Sequence, residues 1–203
     1  MAVSGKYMAY VGSYSYTGKA KGITVYDVDV EKGVFHKRCE VEVDNSSYVI
    51  ASSDGKTLYS IADEGVVAFR ILENGSLSRL NSAKINGMRG CHLSTDADDK
   101  YIFVSGYHDG KATVLRLGKD GAVGEIVDGV FHKGLGSVAE RNFRPHVSCC
   151  RRTPDNKFVL AVDSGLDQVK IYKFDEKDEH LVQVDMIPCD MESAPRCFRF
   201  QYS

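Results

Sequence analysis

One turn and the strand that follows it recur along this chain, as Asp54-Gly55-Lys56-Thr57-Leu58-Tyr59, Asp98-Asp99-Lys100-Tyr101-Ile102-Phe103 and Asp155-Asn156-Lys157-Phe158-Val159-Leu160. A second strand-like run follows each copy: Val67-Ala68-Phe69-Arg70-Ile71, Thr113-Val114-Leu115-Arg116-Leu117 and Lys170-Ile171-Tyr172-Lys173-Phe174, with an earlier one at Thr24-Val25-Tyr26-Asp27-Val28. A further turn and strand come next, as in Glu73-Asn74-Gly75-Ser76-Leu77 and Lys119-Asp120-Gly121-Ala122-Val123. With Tyr26, Phe69, Leu115 and Tyr172 taken as equivalent, the copies stand about 43 to 57 residues apart. The runs are short, rich in Val, Ile, Tyr and Phe, and split by Gly, Asn and Asp, while helical periodicity is almost absent. This is the pattern of an all-β chain.

A period of about 40–50 residues holding some four short strands predicts the blades of a β-propeller. Each blade is a small antiparallel sheet that cannot bury both faces alone, so it must stack on its neighbours. A β-sandwich of short strands would not repeat the same turn chemistry in register. The sequence therefore predicts one partial propeller domain over residues 1–203. Its blades fall at approximately 1–43, 44–87, 88–143 and 144–190, and the next begins at 191–203. Met8 to Gly12 matches Leu58 to Ala62, the second strand of a blade, so the first blade lacks its innermost strand. Arg196-Cys197-Phe198-Arg199-Phe200 reads as the innermost strand of a fifth blade. The extra length of the third period falls between Asp128 and Pro145, a loop insertion of the kind that carries function on a propeller face. Such an arc should expose apolar sheet faces, and self-association of incomplete propellers is expected.

Charge and composition narrow the partners. The formal net charge is −2, with no long basic run, which argues against a phosphate-neutralising nucleic-acid face. The first residues hold no apolar run of signal-peptide type, and no stretch approaches the ~20 apolar residues of a membrane helix. A cytoplasmic protein without membrane association is expected. The six cysteines, Cys39, Cys91, Cys149, Cys150, Cys189 and Cys197, form no C-x-x-C pair, so no metal site is expected and reduced thiols are. Cys149 and Cys150 are adjacent in a strand-like run and should point to opposite faces.

Several strings resemble the seven-bladed propeller lactonases, the group that includes bacterial 6-phosphogluconolactonase and fungal carboxymuconate cyclases. Tyr10-Val11-Gly12-Ser13-Tyr14 with Gly22-Ile23-Thr24-Val25-Tyr26 looks like the opening blade, and Asn45 to Tyr59, ending in Asp63-Glu64, like the second. Gly90-Cys91-His92-Leu93-Ser94 is similar to the family's Pro-Cys-His-Leu-Ser string. His132-x-Gly134-x-Gly136 followed by Arg141-x-x-x-Pro145-His146 is the most specific match, and Asp163-x-Gly165-x-Asp167 and Ala194-Pro195-Arg196 complete the set. The resemblance covers essentially the whole chain but only about four of seven blades, since seven need about 315 residues. A truncated product, a fragment, or closure by another chain are all consistent with it.

The resemblance implies a site at the mouth of the central channel. Lactone hydrolysis needs a base to activate water and donors to hold the developing oxyanion, and a phosphorylated sugar needs cations. His92, Arg141, His146 and Arg196 are the implied catalytic residues. Arg141 and Arg196 would bind phosphate or polarise the carbonyl, and His92 or His146 would act as base. Glu64, Asp163 and Asp167 are implied substrate-binding or orienting groups, although the two aspartates could instead shape a turn. His36, His108, His132 and His180 read as surface or turn residues.

The sequence departs from the family pattern at Gly90, Gly106, Ser148 and Cys197. Arg151 and Arg152 stand where the inner strand is usually apolar. No cofactor is expected. The implied activity is hydrolysis of a sugar lactone, foremost 6-phosphogluconolactone to 6-phosphogluconate in the pentose phosphate pathway. A muconate-type lactonizing cycloisomerase and a non-catalytic binding scaffold are the alternatives.

Overall fold

A computed structural model describes residues 7–136 and 143–201. Fifteen strands and no helix are present among them. The strands form four antiparallel sheets in chain order. Sheet one has three strands, β1 (Tyr7–Gly12), β2 (Gly22–Asp29) and β3 (Val34–Glu42). Sheet two holds β4 (Val49–Ala51), β5 (Thr57–Ala62), β6 (Gly65–Ile71) and β7 (Leu77–Lys84). Sheet three holds β8 (His92–Thr95), β9 (Tyr101–Gly106), β10 (Lys111–Leu117) and β11 (Val123–Phe131). Sheet four holds β12 (Val147–Arg152), β13 (Phe158–Asp163), β14 (Gln168–Asp175) and β15 (His180–Pro188). Every pairing joins sequence neighbours, the up-and-down meander of a propeller blade.

The repeated turn chemistry explains this regularity. The left-handed position of the first hairpin falls on Gly55 (φ 69), Asp99 (φ 51) and Asn156 (φ 58), residue types that tolerate positive φ. Asp54 and Asp155 each accept the amide two residues on, from Lys56 at 3.0 Å and Lys157 at 3.2 Å. These are Asx-turns that fix the entry into β5 and β13. The pairing of the next two strands shifts register at one equivalent place in every sheet: Val25/Tyr26, Ala68/Phe69, Val114/Leu115 and Ile171/Tyr172. A β-bulge raises local twist, so its recurrence gives all four sheets the same coil.

The core lies between sheets. Alternate residues of one strand point to opposite faces, and sheet two divides its apolar side chains accordingly. Leu58, Val67 and Phe69 pack with Ile23 and Val43 toward sheet one, whereas Tyr59, Ile61, Val66 and Ala68 pack with Leu93, Ile102, Val104 and Leu115 toward sheet three. Sheet three repeats the division, sending Tyr101, Phe103, Ala112 and Val114 toward Val159, Ala161, Tyr172 and Phe174 of sheet four. Burial on both faces is why β5, β6, β9 and β10 read as continuous apolar runs. Outer strands β7 and β15 are largely exposed. Val182, Val184, Met186 and Ile187 of β15 lie open at 42–50%.

The structure corrects one strand expectation. Arg196 to Phe200 carries no strand. A strand exists only through its ladder, and this segment has no ladder partner among the described residues. It lies against β12, where Ser148 Oγ donates to the Arg196 carbonyl at 2.7 Å. Cys149 and Cys150 behave as expected. Cys149 turns toward His92, and Cys150 sits in the core between sheets three and four. All six cysteines are free thiols.

Candidate functional site

The innermost strands abut one another, β4 against β8 and β8 against β12. Their mouth opens into a cleft of ≈ 730 Å³. Ser47 and Tyr48 lead into β4, His92 opens β8, and Ser148 and Arg151 come from β12. Tyr107 and His108 reach in from the β9–β10 turn, and Arg196 and Arg199 from the segment after β15. Three arginines and two histidines line this cleft, with no carboxylate among its described lining residues. On a chain of net charge −2 this is a local concentration of positive charge, which low-dielectric walls focus.

At the floor, Arg151 Nη2 lies 3.1 Å from His92 Nε2. A guanidinium only donates, so Nε2 accepts and the ring proton sits on Nδ1. The Tyr48 ring, 4.8 Å away between centroids, and the Cys149 thiol at 3.6 Å enclose the imidazole. Burial first, then the charges of Arg151 and Arg199, push His92 down to about 3. It is a neutral acceptor near neutral pH. Burial likewise pushes the Cys91 thiol at the cleft wall up to about 11.

Behind the wall stands a second polar cluster, centred on Asp163. Its Oδ2 accepts His132 Nδ1 at 2.7 Å. Its Oδ1 takes the amides of His146 at 2.9 Å, Gly165 at 3.0 Å and Leu166 at 3.1 Å. Burial raises the carboxyl, but these donors outweigh it and hold Asp163 below the usual carboxylate range. Gly165 is required by packing, since a Cβ there would lie 1.8 Å from the Arg144 carbonyl. His132 and His146 bracket the long insertion, so one carboxylate pins both of its ends. Asp167 completes the turn and accepts the amides of Glu192 and Ala194, both at 2.8 Å. It thereby holds the segment that carries Arg196.

The expected site residues separate accordingly. His92 and Arg196 line the cleft. His146 is buried beside it, stacked on Tyr107 at 4.3 Å, with Nδ1 donating to the Tyr107 carbonyl at 2.6 Å. Asp163 and Asp167 lie behind the wall and bind backbone. Glu64 is exposed and pairs with Lys84 at 2.9 Å, away from the cleft. Arg141 lies outside the described residues.

The surface reading of His132 is corrected, because its side chain is fully buried against Asp163. His108 is exposed but faces the cleft. Arg152, on the strand expected to be apolar, is buried with its charge met by Asp96 at 3.5 Å and Glu176 at 2.8 Å. Arg199, Tyr48 and Tyr107 were not singled out in the sequence. The Arg-x-x-Arg spacing from Arg196 was the one signal that could have flagged Arg199.

Comparisons agree with this architecture. The family model for the lactonases, seven-bladed β-propellers, matches residues 8–203. The 6-phosphogluconolactonase of Bacillus subtilis is 34% identical over 174 residues, covering 83% of this chain and 49% of that protein. The chain thus spans about half the length of the curated relatives it matches. A solved structure from Bacteroides fragilis, provisionally assigned as a 6-phosphogluconolactonase, superposes over all of this chain and 60% of its own, with TM-score 0.89 and 31% identity. The periplasmic gluconolactonase of Pseudomonas aeruginosa shares the fold at TM-score 0.86 and 24% identity, over 95% of this chain and 57% of that one. Four meander sheets, recurrent bulges and the family match over residues 8–203 together establish that this chain belongs to the seven-bladed β-propeller lactonase family.

Proposed function

We propose that the cleft binds an anionic sugar lactone, foremost 6-phosphogluconolactone, and hydrolyses it to the open-chain acid. The observation that carries this reading is the lining of three arginines without a described carboxylate. The Bacillus subtilis relative, named a 6-phosphogluconolactonase, supports the same substrate, and with it a place in the pentose phosphate pathway. Water attacks the lactone carbonyl, the ring C–O bond breaks, and the alkoxide takes up a proton. Arg196, with Arg141 from the insertion, stabilises the oxyanion that develops during attack. His92 is engaged by Arg151, and His146 is committed through Nδ1 to Tyr107. His108, at the cleft mouth, is the remaining imidazole placed to relay the proton.

The test is hydrolysis of freshly generated 6-phosphogluconolactone by the 203-residue chain, measured against spontaneous opening. A rate above background that falls at least tenfold in Arg196→Ala or Arg141→Ala supports the reading, the expected loss of one oxyanion donor being about 10²–10³. His108→Gln should lower kcat by about 10² or more. A rate equal to background in the wild-type chain sinks the proposal and leaves a binding scaffold.

A further inference from the structure

We infer that Arg151, held by the neutral His92, is the anchor for the phosphomonoester of the substrate, and that His92 acts here as a positioning residue for that guanidinium. The assignment rests on the anionic-lactone reading above only for the identity of the sugar.

Four of the described arginines are answered by acids. Arg38, Arg89, Arg116 and Arg152 each pair with a carboxylate. Arg151 pairs with none among the described residues, as do Arg196 and Arg199 in the same cleft, and it is set apart by the burial of its Nε. Its Nη2 is bound to an imidazole, and its Nε is buried without a hydrogen-bond partner among the described residues. A half-buried guanidinium left in this state is unfavourable unless an anion completes it. The neighbouring Arg152, on the same strand, shows how the fold satisfies such a charge when it is structural: Asp96 and Glu176 come to meet it.

His92 is suited to hold Arg151 without cancelling it. A carboxylate there would neutralise the cation and repel an anionic ligand. A neutral imidazole accepts one N–H and leaves the charge and the other donors of the fork available. Tyr48 and Cys149 fix the ring, so the Arg151 plane is oriented before a ligand arrives. Arg196 and Arg199 face the same cleft from the segment after β15, and Ser148 adds a hydroxyl to the lining. Three cations suit a dianionic phosphomonoester better than a single carboxylate.

The experiment is calorimetric titration of the full chain with 6-phosphogluconate, gluconate and inorganic phosphate. The wild-type chain should bind 6-phosphogluconate at least about tenfold more tightly than gluconate, the range expected for charge-assisted hydrogen bonds. Inorganic phosphate should bind more weakly than 6-phosphogluconate; equal binding would mean a free-phosphate site and overturn the phosphosugar assignment. Arg151→Leu should erase the preference, and Arg151→Lys should keep part of it. His92→Gln, which still offers an acceptor, should stay within about threefold of wild type, whereas His92→Leu should fall with Arg151→Leu. Thermal melts of each variant separate lost binding from lost fold, and Arg151→Lys serves where Arg151→Leu does not fold. A preference that survives in Arg151→Leu or Arg151→Lys undiminished, or wild-type binding by His92→Leu, overturns the assignment. Hydrolysis without phosphate preference would overturn this inference and leave the lactonase reading standing. Preference without hydrolysis would do the reverse.

Discussion

His132 and His92 are equally buried, each 5% exposed, and burial lowers the proton affinity of both. Their partners differ in sign. His132 faces the Asp163 carboxylate, which also gathers three backbone amides. His92 faces the Arg151 guanidinium, and polar atoms on both sides of that contact, His92 Nδ1 and Arg151 Nε, find no partner among the described residues. Asp163 spends both of its oxygens on four donors, which is what a structural anchor needs, although His132 Nε2, like His92 Nδ1, has no partner among the described residues. The His92–Arg151 floor keeps donors unspent beside an open cleft, which is what a binding surface needs. Burial alone does not separate structure from function here; the partner of each imidazole does, a carboxylate for His132 and a guanidinium with a buried, unpaired Nε for His92.

The strongest way to break this comparison is at the anchor. Asp163→Ala should cost about 3–5 kcal/mol in urea unfolding at neutral pH, because it strands a buried imidazole and three amides. A loss below about 1 kcal/mol would mean that Asp163 is not the anchor. Asp167→Ala should cost about 2 kcal/mol by freeing the amides of Glu192 and Ala194. It should also weaken 6-phosphogluconate binding, since it releases the segment that carries Arg196. Unchanged affinity with reduced stability would show that this segment does not serve the cleft.

Acid sharpens the contrast between the two histidines. Both imidazoles take up a proton less readily in the fold than in the unfolded chain, so the unfolded state gains protons first as pH falls. Stability from each is therefore present above the unfolded value near 6.5 and lost below it, at up to about 1.4 kcal/mol per pH unit. For His92 the loss continues toward its folded value of about 3. Asp163, held low, adds stability that disappears only in the more acidic range as pH falls through its folded value. Unfolding free energies measured from pH 7 to pH 5 should slope downward, and His92→Gln should flatten the slope. An equal slope in His92→Gln would mean that this imidazole is solvated. The smallest effect is expected at Glu64, exposed with Lys84. Glu64→Gln should move stability by no more than about 0.5 kcal/mol and leave 6-phosphogluconate binding unchanged.

Much of the fold was legible because it depends on local chemistry that repeats. Gly55, Asp99 and Asn156 mark the same left-handed turn, and Tyr26, Phe69, Leu115 and Tyr172, equivalent in the repeat, each stand at the bulge that the structure shows. The tail was misread for the opposite reason. Arg196 to Phe200 has the composition of an inner strand, but a strand requires a partner, and pairing is not a local property.

The site was legible only in outline. The Asp163-x-Gly165-x-Asp167 string could be read as a turn or as catalytic groups. Only the approach of Arg144 to Gly165 and of Glu192 to Asp167 decided for a clamp. His132 looked like a loop residue because Asp163 lies 31 residues away in sequence.

The motifs of the sequence carried the resemblance to the family, and its repeats determined the all-β class and the blade period. These follow from side-chain periodicity and from φ preferences, which each residue carries alone. Only the tertiary structure decided which charges were answered. Arg151 and Arg152 are adjacent and chemically identical, but alternation along β12 sends one into a cleft without described acids and the other onto Asp96 and Glu176. The energy of a charge depends on what surrounds it in space, and residues brought together from β8, β12 and the segment after β15 set that for Arg151.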